Sequence, residues 1–242
     1  MKLHWKRWTC LRESAGERMF TVSPSIYSAD MLDLKTVLDR ARDFEHIHLD
    51  IDDGNFVRGI SFGTDLAGQI AAYTDVPLDA HLEVLNPLDY VEPLAKAGIS
   101  LITAHIEVLD YPSIFISMVH GFGKKAGLAL NLKTPVSFIE PYADQIDHLL
   151  FVSVESDCEG LPFRKAVLKK VAEARKLFGN ELPVWVDGGV NDSNLRDIIR
   201  AGADGAVIGR AVFKADDFQK AYEHFIEAGR RYEKEFQEAG GR

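Results

Sequence analysis

His46-Ile47-His48-Leu49-Asp50-Ile51-Asp52-Asp53-Gly54 alternates apolar and polar side chains and closes on a glycine. That is the pattern of a β-strand that delivers its polar residues to one face and ends in a turn. Residues two apart in a strand share a face, so His48 and Asp50 point the same way. An imidazole and a carboxylate so placed can both grip one divalent metal. Two further stretches end alike: Leu78-Asp79-Ala80-His81-Leu82-Glu83 and Val184-Trp185-Val186-Asp187-Gly188-Gly189. One polar residue at a strand end is ordinary; three apolar strands that each end in ligand-type side chains suggest a shared site.

Outward from this stretch, strand and helix patterns alternate. Short apolar runs predict strands at 20–26, 77–83, 100–106, 127–132, 146–154, 183–187 and 204–208. Helical spacing fills the gaps at 31–42, 64–73, 87–97, 112–122, 167–178, 193–201 and 216–228, and Thr134-Pro135 opens one more helix. The strands are mostly non-alternating, as buried parallel strands are. Eight strand–helix units in a row, with no linker, predict a single (β/α)8 TIM barrel. A doubly wound sheet would need fewer strands or a break in the alternation. The barrel is assigned to 20–229, an N-terminal extension to 1–19, and a charged tail that frays or docks loosely to 230–242.

The chain has 242 residues, 46% hydrophobic and 27% charged, with a formal charge of −9. The negative charge argues against nucleic acid or an anionic membrane surface as partner, yet leaves room for a phosphorylated small molecule in a local pocket. No apolar run reaches membrane-spanning length, and Met1–Trp8 lacks a signal peptide's apolar core. Two cysteines, Cys10 and Cys158, make no disulfide framework, which points to a reducing, cytoplasmic compartment. Cys158 has no evident base beside it and reads as a bystander.

In a TIM barrel the chemistry sits at the strand ends. His48, Asp50, His81 and Asp187 are the expected metal ligands. Their nitrogen and carboxylate donors suit Zn²⁺, with Mn²⁺, Fe²⁺ or Co²⁺ as alternatives. Asp50 and Asp187, from opposite sides of a pocket, can act as general base and acid on one substrate carbon, with the metal offsetting enediolate charge. Gly188-Gly189 after the seventh strand and Gly209-Arg210 after the eighth supply backbone amides and a guanidinium for a phosphate. His105 and Glu107 read as pocket lining or a core polar pair rather than ligands.

With these residues in place, the chain resembles the ribulose-phosphate 3-epimerase family from about Val22 to Phe213. The carriers are Ser23-Pro24-Ser25-Ile26, the run from His48 to Val57, Asp79-Ala80-His81-Leu82, Val186-Asp187-Gly188-Gly189-Val190 and Ile208-Gly209-Arg210-Ala211. The resemblance implies a metal-dependent epimerase acting at C3 of a ketose phosphate such as ribulose 5-phosphate, and a homo-oligomer, either dimer or hexamer. His48, Asp50, His81 and Asp187 match the family's metal ligands, and Asp50 and Asp187 its acid/base pair. Ser25, Gly188, Gly189, Gly209 and Arg210 fall on substrate or phosphate positions.

Some positions depart from the family. Where it carries methionines over the reacting carbons, this chain has Asp52, Glu83 and Val152, and its glycine-rich loop after the sixth strand reads Ser156-Asp157-Cys158-Glu159-Gly160. A negative charge beside an enediolate costs transition-state stabilisation. Asp52 and Glu83 are therefore turned away, protonated, or bonded to an extra hydroxyl or cation. The expectation is that they contact substrate and select a ketose phosphate other than ribulose 5-phosphate, such as a hexulose phosphate. Two rival functions are a binding barrel that senses a sugar phosphate without turning it over, and a sugar-acid-phosphate lyase. Related decarboxylating barrels place Lys two residues after the first Asp; Asp52 stands there instead.

Overall fold

The computed structural model describes residues 19–155, 161–238 and 240. Cys10, Cys158, the segment Met1–Trp8 and the loop Ser156–Gly160 lie outside the described residues. Eight strands form one sheet: β1 (Thr21–Ser23), β2 (Ile47–Asp52), β3 (Leu78–Glu83), β4 (Leu101–His105), β5 (Lys125–Leu130), β6 (His148–Val152), β7 (Val184–Asp187) and β8 (Gly205–Val207). The order is β1-β8-β7-β6-β5-β4-β3-β2, with every neighbouring pair parallel. The seam between β1 and β2 is drawn together by one pair, Ser25 beside His48, and by the His48 amide donating to the Pro24 carbonyl at 3.0 Å. The result is the nearly closed (β/α)8 barrel that the alternation predicts.

Helices α1 (Leu34–Arg40), α2 (Thr64–Tyr73), α3 (Leu88–Ala97), α4 (Pro112–Gly121), α5 (Ala166–Phe178), α6 (Asp192–Ala201), α7 (Arg210–Phe213) and α8 (Phe218–Glu238) run between and after the strands. Ile47, Leu49 and Ile51 of β2 and Leu78, Ala80 and Leu82 of β3 join the large apolar core. Their alternates, His48, Asp50 and Asp52 on β2 and Asp79, His81 and Glu83 on β3, share the other face. A smaller apolar cluster, Ala129, Leu150, Trp185 and Val207, packs apart from the main core.

Two expectations need correction. The segment after Thr134-Pro135 is a 3₁₀-helix, Val136–Tyr142, that contains Pro141, whose missing N–H cannot close an α-helical bond there. The charged tail does not fray from residue 230: α8 continues to Glu238. Tyr232 packs on the core, the Phe20 amide donates to Glu233 at 2.7 Å, and Arg196 pairs with Glu235 at 2.9 Å. Charge on the outer face of this helix hid the apolar stripe on its inner one.

Candidate metal and active site

Strand register builds the site. In the β2–β3 ladder His48 stands beside Asp79, Asp50 beside His81, and Asp52 beside Glu83. These three rungs share one face because their residues are two apart. β7 brings Asp187 to the same place. Four donors, His48, Asp50, His81 and Asp187, each offer one atom within 4.8 Å of all the others.

Each donor is held by a neighbour that occupies its other polar atom. His48 Nδ1 is hydrogen-bonded to Asp79, whose second oxygen accepts from Ser23 Oγ at 2.7 Å. His48 Nε2 is thereby left facing Asp50 Oδ1 at 3.0 Å. Ser25 Oγ donates to Asp50 Oδ2 at 2.5 Å, so Asp50 Oδ1 turns toward His81 Nδ1 at 3.3 Å. The Gly188 amide donates to Asp187 Oδ1 at 2.6 Å, and Asp187 Oδ2 lies 3.6 Å from the same His81 nitrogen. Metal bonds of about 2.0–2.2 Å place neighbouring donors roughly 3–3.5 Å apart. The donor set and its spacing therefore fit a divalent cation, and a carboxylate behind His48 is the usual support for a metal-bound imidazole.

The electrostatics of the metal-free site follow from the same contacts. Burial opposes ionisation of Asp50, but His48 and His81 outweigh it and hold the carboxyl well below the ordinary range. Burial likewise disfavours charge on His81, yet Asp187 and Asp50 raise its pKa to about 10. Asp187 itself is raised, chiefly by burial. In the third rung burial, then Glu83 and Asp50, push Asp52 up to about 8.

Of the residues expected to hold phosphate, Gly189, Gly209 and Arg210 line one cavity of about 170 Å³, which Asp187 also borders. Gly188 holds the Asp187 carboxylate instead, and its carbonyl accepts from Ser153. Gly188 and Gly189 have φ of +94° and +65°, a left-handed pair that side chains at both positions would strain. Arg210 is exposed, so its pairing with any anion would be screened by solvent and worth on the order of 1 kcal/mol. Ser25 touches Asp50. Asp52 and Glu83 are buried at 8% and 9% exposure, and Val152 is buried too.

Sequence reasoning passed over Asp79, although its position two residues before His81 on one strand already carried the signal. The buried His105 forms the polar pair with Glu107 that the sequence suggests, and meets His81 as well. That ring lies on His81, with the two Nε2 atoms 2.9 Å apart, and its Nδ1 is 3.1 Å from Glu107 Oε2.

Comparison with known proteins agrees with this geometry. The profile of the ribulose-phosphate 3 epimerase family matches residues 21–213. The chain belongs to that family. It is 36% identical over 202 residues to the ribulose-phosphate 3-epimerase of Mycobacterium tuberculosis (strain ATCC 25618 / H37Rv), covering 81% of this chain and 87% of that one. It is 36% identical over 212 residues to that of Bacillus subtilis (strain 168), covering 84% and 96%. To the chloroplastic ribulose-5-phosphate-3-epimerase of Arabidopsis thaliana it is 35% identical over 207 residues, covering 83% and 74%. A solved structure, orotidine 5'-phosphate decarboxylase from Pyrococcus horikoshii OT3, superposes with a TM-score of 0.63 over 86% of this chain and 98% of that one. At 14% identity it shows the shared fold alone. Among the described residues no helix is long and apolar enough to cross a membrane.

Proposed function

We propose that this chain is a divalent-metal-dependent epimerase that inverts C3 of a ketose phosphate, with Asp50 and Asp187 as its acid/base pair. The observation that carries the reading is their arrangement: each has one oxygen tied by a donor, and each turns the other toward His81, at 3.3 and 3.6 Å. One carboxylate takes the C3 proton from one face, and the C–H electron pair moves into the C2 carbonyl to give an enediolate. The other, as the acid, returns a proton to C3 on the opposite face, so no co-reactant is consumed. His48, Asp50, His81 and Asp187 would hold the metal, which we take to be Zn²⁺; when bound it supplies positive charge beside the developing oxyanion. Gly189, Gly209 and Arg210 would receive the phosphate, while Ser25 and Gly188 keep the two carboxylates aimed. Asp52 and Glu83 border the sugar and set which ketose phosphate is taken, with a hexulose phosphate favoured over ribulose 5-phosphate. We read the working form as a cytoplasmic homo-oligomer, a dimer or hexamer, on the family resemblance.

The test is deuterium incorporation at C3 from D₂O across pentulose and hexulose phosphates, with metal analysis of the same sample. Exchange on at least one substrate, lost on chelation and restored by Zn²⁺, is expected. A folded, metal-loaded protein that exchanges nothing across the panel is a binding barrel instead.

A further inference from the structure

The third rung sets acid beside acid. Asp52 and Glu83 are register neighbours, both buried, and both acidic. Asp52 Oδ1 is buried with no hydrogen-bond partner among the described residues. Burying two carboxylates side by side is costly unless positive charge accompanies them. The imidazoles of His81 and His105 stand beside this pair, His105 Nε2 lying 3.7 Å from Glu83 Oε1.

Those imidazoles form a second convergence of donors. His81 Nε2 and His105 Nε2 are 2.9 Å apart, and Glu83 Oε1 is 3.7 Å from His105 Nε2. All three donor atoms lie within 4.8 Å of one another. This spacing matches that of the four-residue site below, where neighbouring donors are 3.0, 3.3 and 3.6 Å apart. The supporting contacts match as well. His105 Nδ1 is held by Glu107 as His48 Nδ1 is held by Asp79. Glu107 is in turn fixed by the Asn131 amide at 2.8 Å and by the Thr134 hydroxyl. With Nδ1 held by Glu107, His105 turns Nε2 toward Glu83 and His81, where it hydrogen-bonds the His81 ring.

We propose that Glu83, His105 and His81 form a second divalent-cation site, joined to the first through the two nitrogens of the His81 ring, with Asp52 beside it balancing the cation's charge. His81 Nδ1 serves the lower site and Nε2 the upper. The incoming cation replaces the Nε2 proton, which leaves to solvent. Two imidazoles and one carboxylate on a single face suit Zn²⁺, Fe²⁺, Co²⁺ or Mn²⁺ and leave positions open for oxygen ligands. The site does not depend on which ketose phosphate is turned over.

The full chain, stripped with chelator and dialysed against Zn²⁺, is the material for the test. Metal per chain is counted by mass spectrometry, and crystals of the same sample are measured at the zinc edge. The wild type is expected to hold two equivalents, with one anomalous peak between His81 and His105 Nε2; Glu83→Met and His105→Gln are expected to hold one. The crystal arm needs no variant, so a variant that fails to fold leaves the test intact. One equivalent in wild type, or a second whose peak lies away from His105, overturns the proposal. A single peak at His48, Asp50, His81 and Asp187 would still leave the epimerase reading standing.

Discussion

The first two rungs of the β2–β3 ladder and the third differ in one respect. His48–Asp79 and Asp50–His81 each set an imidazole against a carboxylate, whereas Asp52–Glu83 sets acid against acid. The matched rungs set three of the four donors, His48, Asp50 and His81, with Ser25 holding Asp50 and Asp79 holding His48, while Asp187 comes from β7. The third rung instead places two acids side by side, where a proton, a cation or a substrate group can stand between them. The strand pair thus separates two proposed jobs: the matched rungs carry the metal and acid/base residues, and the third rung the choice of substrate.

Breaking a matched rung should have the largest effect. Asp50→Asn, or Asp187→Asn on the facing strand, keeps the shape and one oxygen but removes a proton carrier. A loss of kcat of about 10²–10⁴-fold is expected, measured at saturating substrate with metal content checked. A kcat within about threefold of wild type in both variants would place the chemistry elsewhere.

Weakening the other matched rung should cost less. Asp79 holds the far nitrogen of His48 and is buried behind it. Asp79→Asn should lower Zn²⁺ affinity by about 10–100-fold, read by competition with a chromophoric chelator. Excess metal should restore most of kcat, because the acid/base pair is untouched. Loss of kcat that metal cannot restore would give Asp79 a further role.

Repairing the mismatched rung tests its part in selection. Asp52→Met with Glu83→Met gives the strand ends the family's apolar walls. The ratio of kcat/KM for pentulose over hexulose phosphate should rise about tenfold, near 1.4 kcal/mol. A wild type that already favours ribulose 5-phosphate efficiently, with a ratio unmoved by the double substitution, would leave the two acids with no selective role.

Much of this contrast was legible before any coordinates. Parity along Ile47–Asp52 placed His48, Asp50 and Asp52 on one face, and three strand ends named the four candidate metal ligands. Register was not legible. That Asp52 meets Glu83 is a fact about two strands from different parts of the chain, and only the ladder supplies it. The His105–Glu107 pair was legible as a local pair, but its contact with His81 was not, because only the β3–β4 pairing lays one ring on the other. Beyond Ala228 the tail runs on as helix because Tyr232 lies on the core side of a segment otherwise rich in charge, a contact that charge pattern alone does not show.

The smallest effect concerns a histidine with no carboxylate of its own. His48 lies between Asp79 and Asp50, and although burial opposes protonation these two raise its pKa well above the ordinary value. His148, at the start of β6, is just as buried. Its ring meets the edge of Trp185, its Nδ1 is 3.4 Å from Thr103 Oγ1, and its Nε2 has no partner among the described residues. Burial lowers its pKa from 6.5 to about 3, helped by the charges of His48, His81 and Lys125 and opposed by Asp79. Below pH 6.5 the unfolded chain takes up a proton that folded His148 refuses. The stability this group contributes is therefore complete above that pH and lost as pH falls toward 3. Over the first unit of acidification the loss is about 1 kcal/mol. Urea unfolding of the chelated protein at pH 6.5 and about 5.5 reads it, and His148→Phe, which keeps a ring against Trp185, should remove that share of the slope. If the variant and wild type lose stability in parallel, the acid sensitivity lies with other groups, and burial without a carboxylate is not what separates His148 from His48.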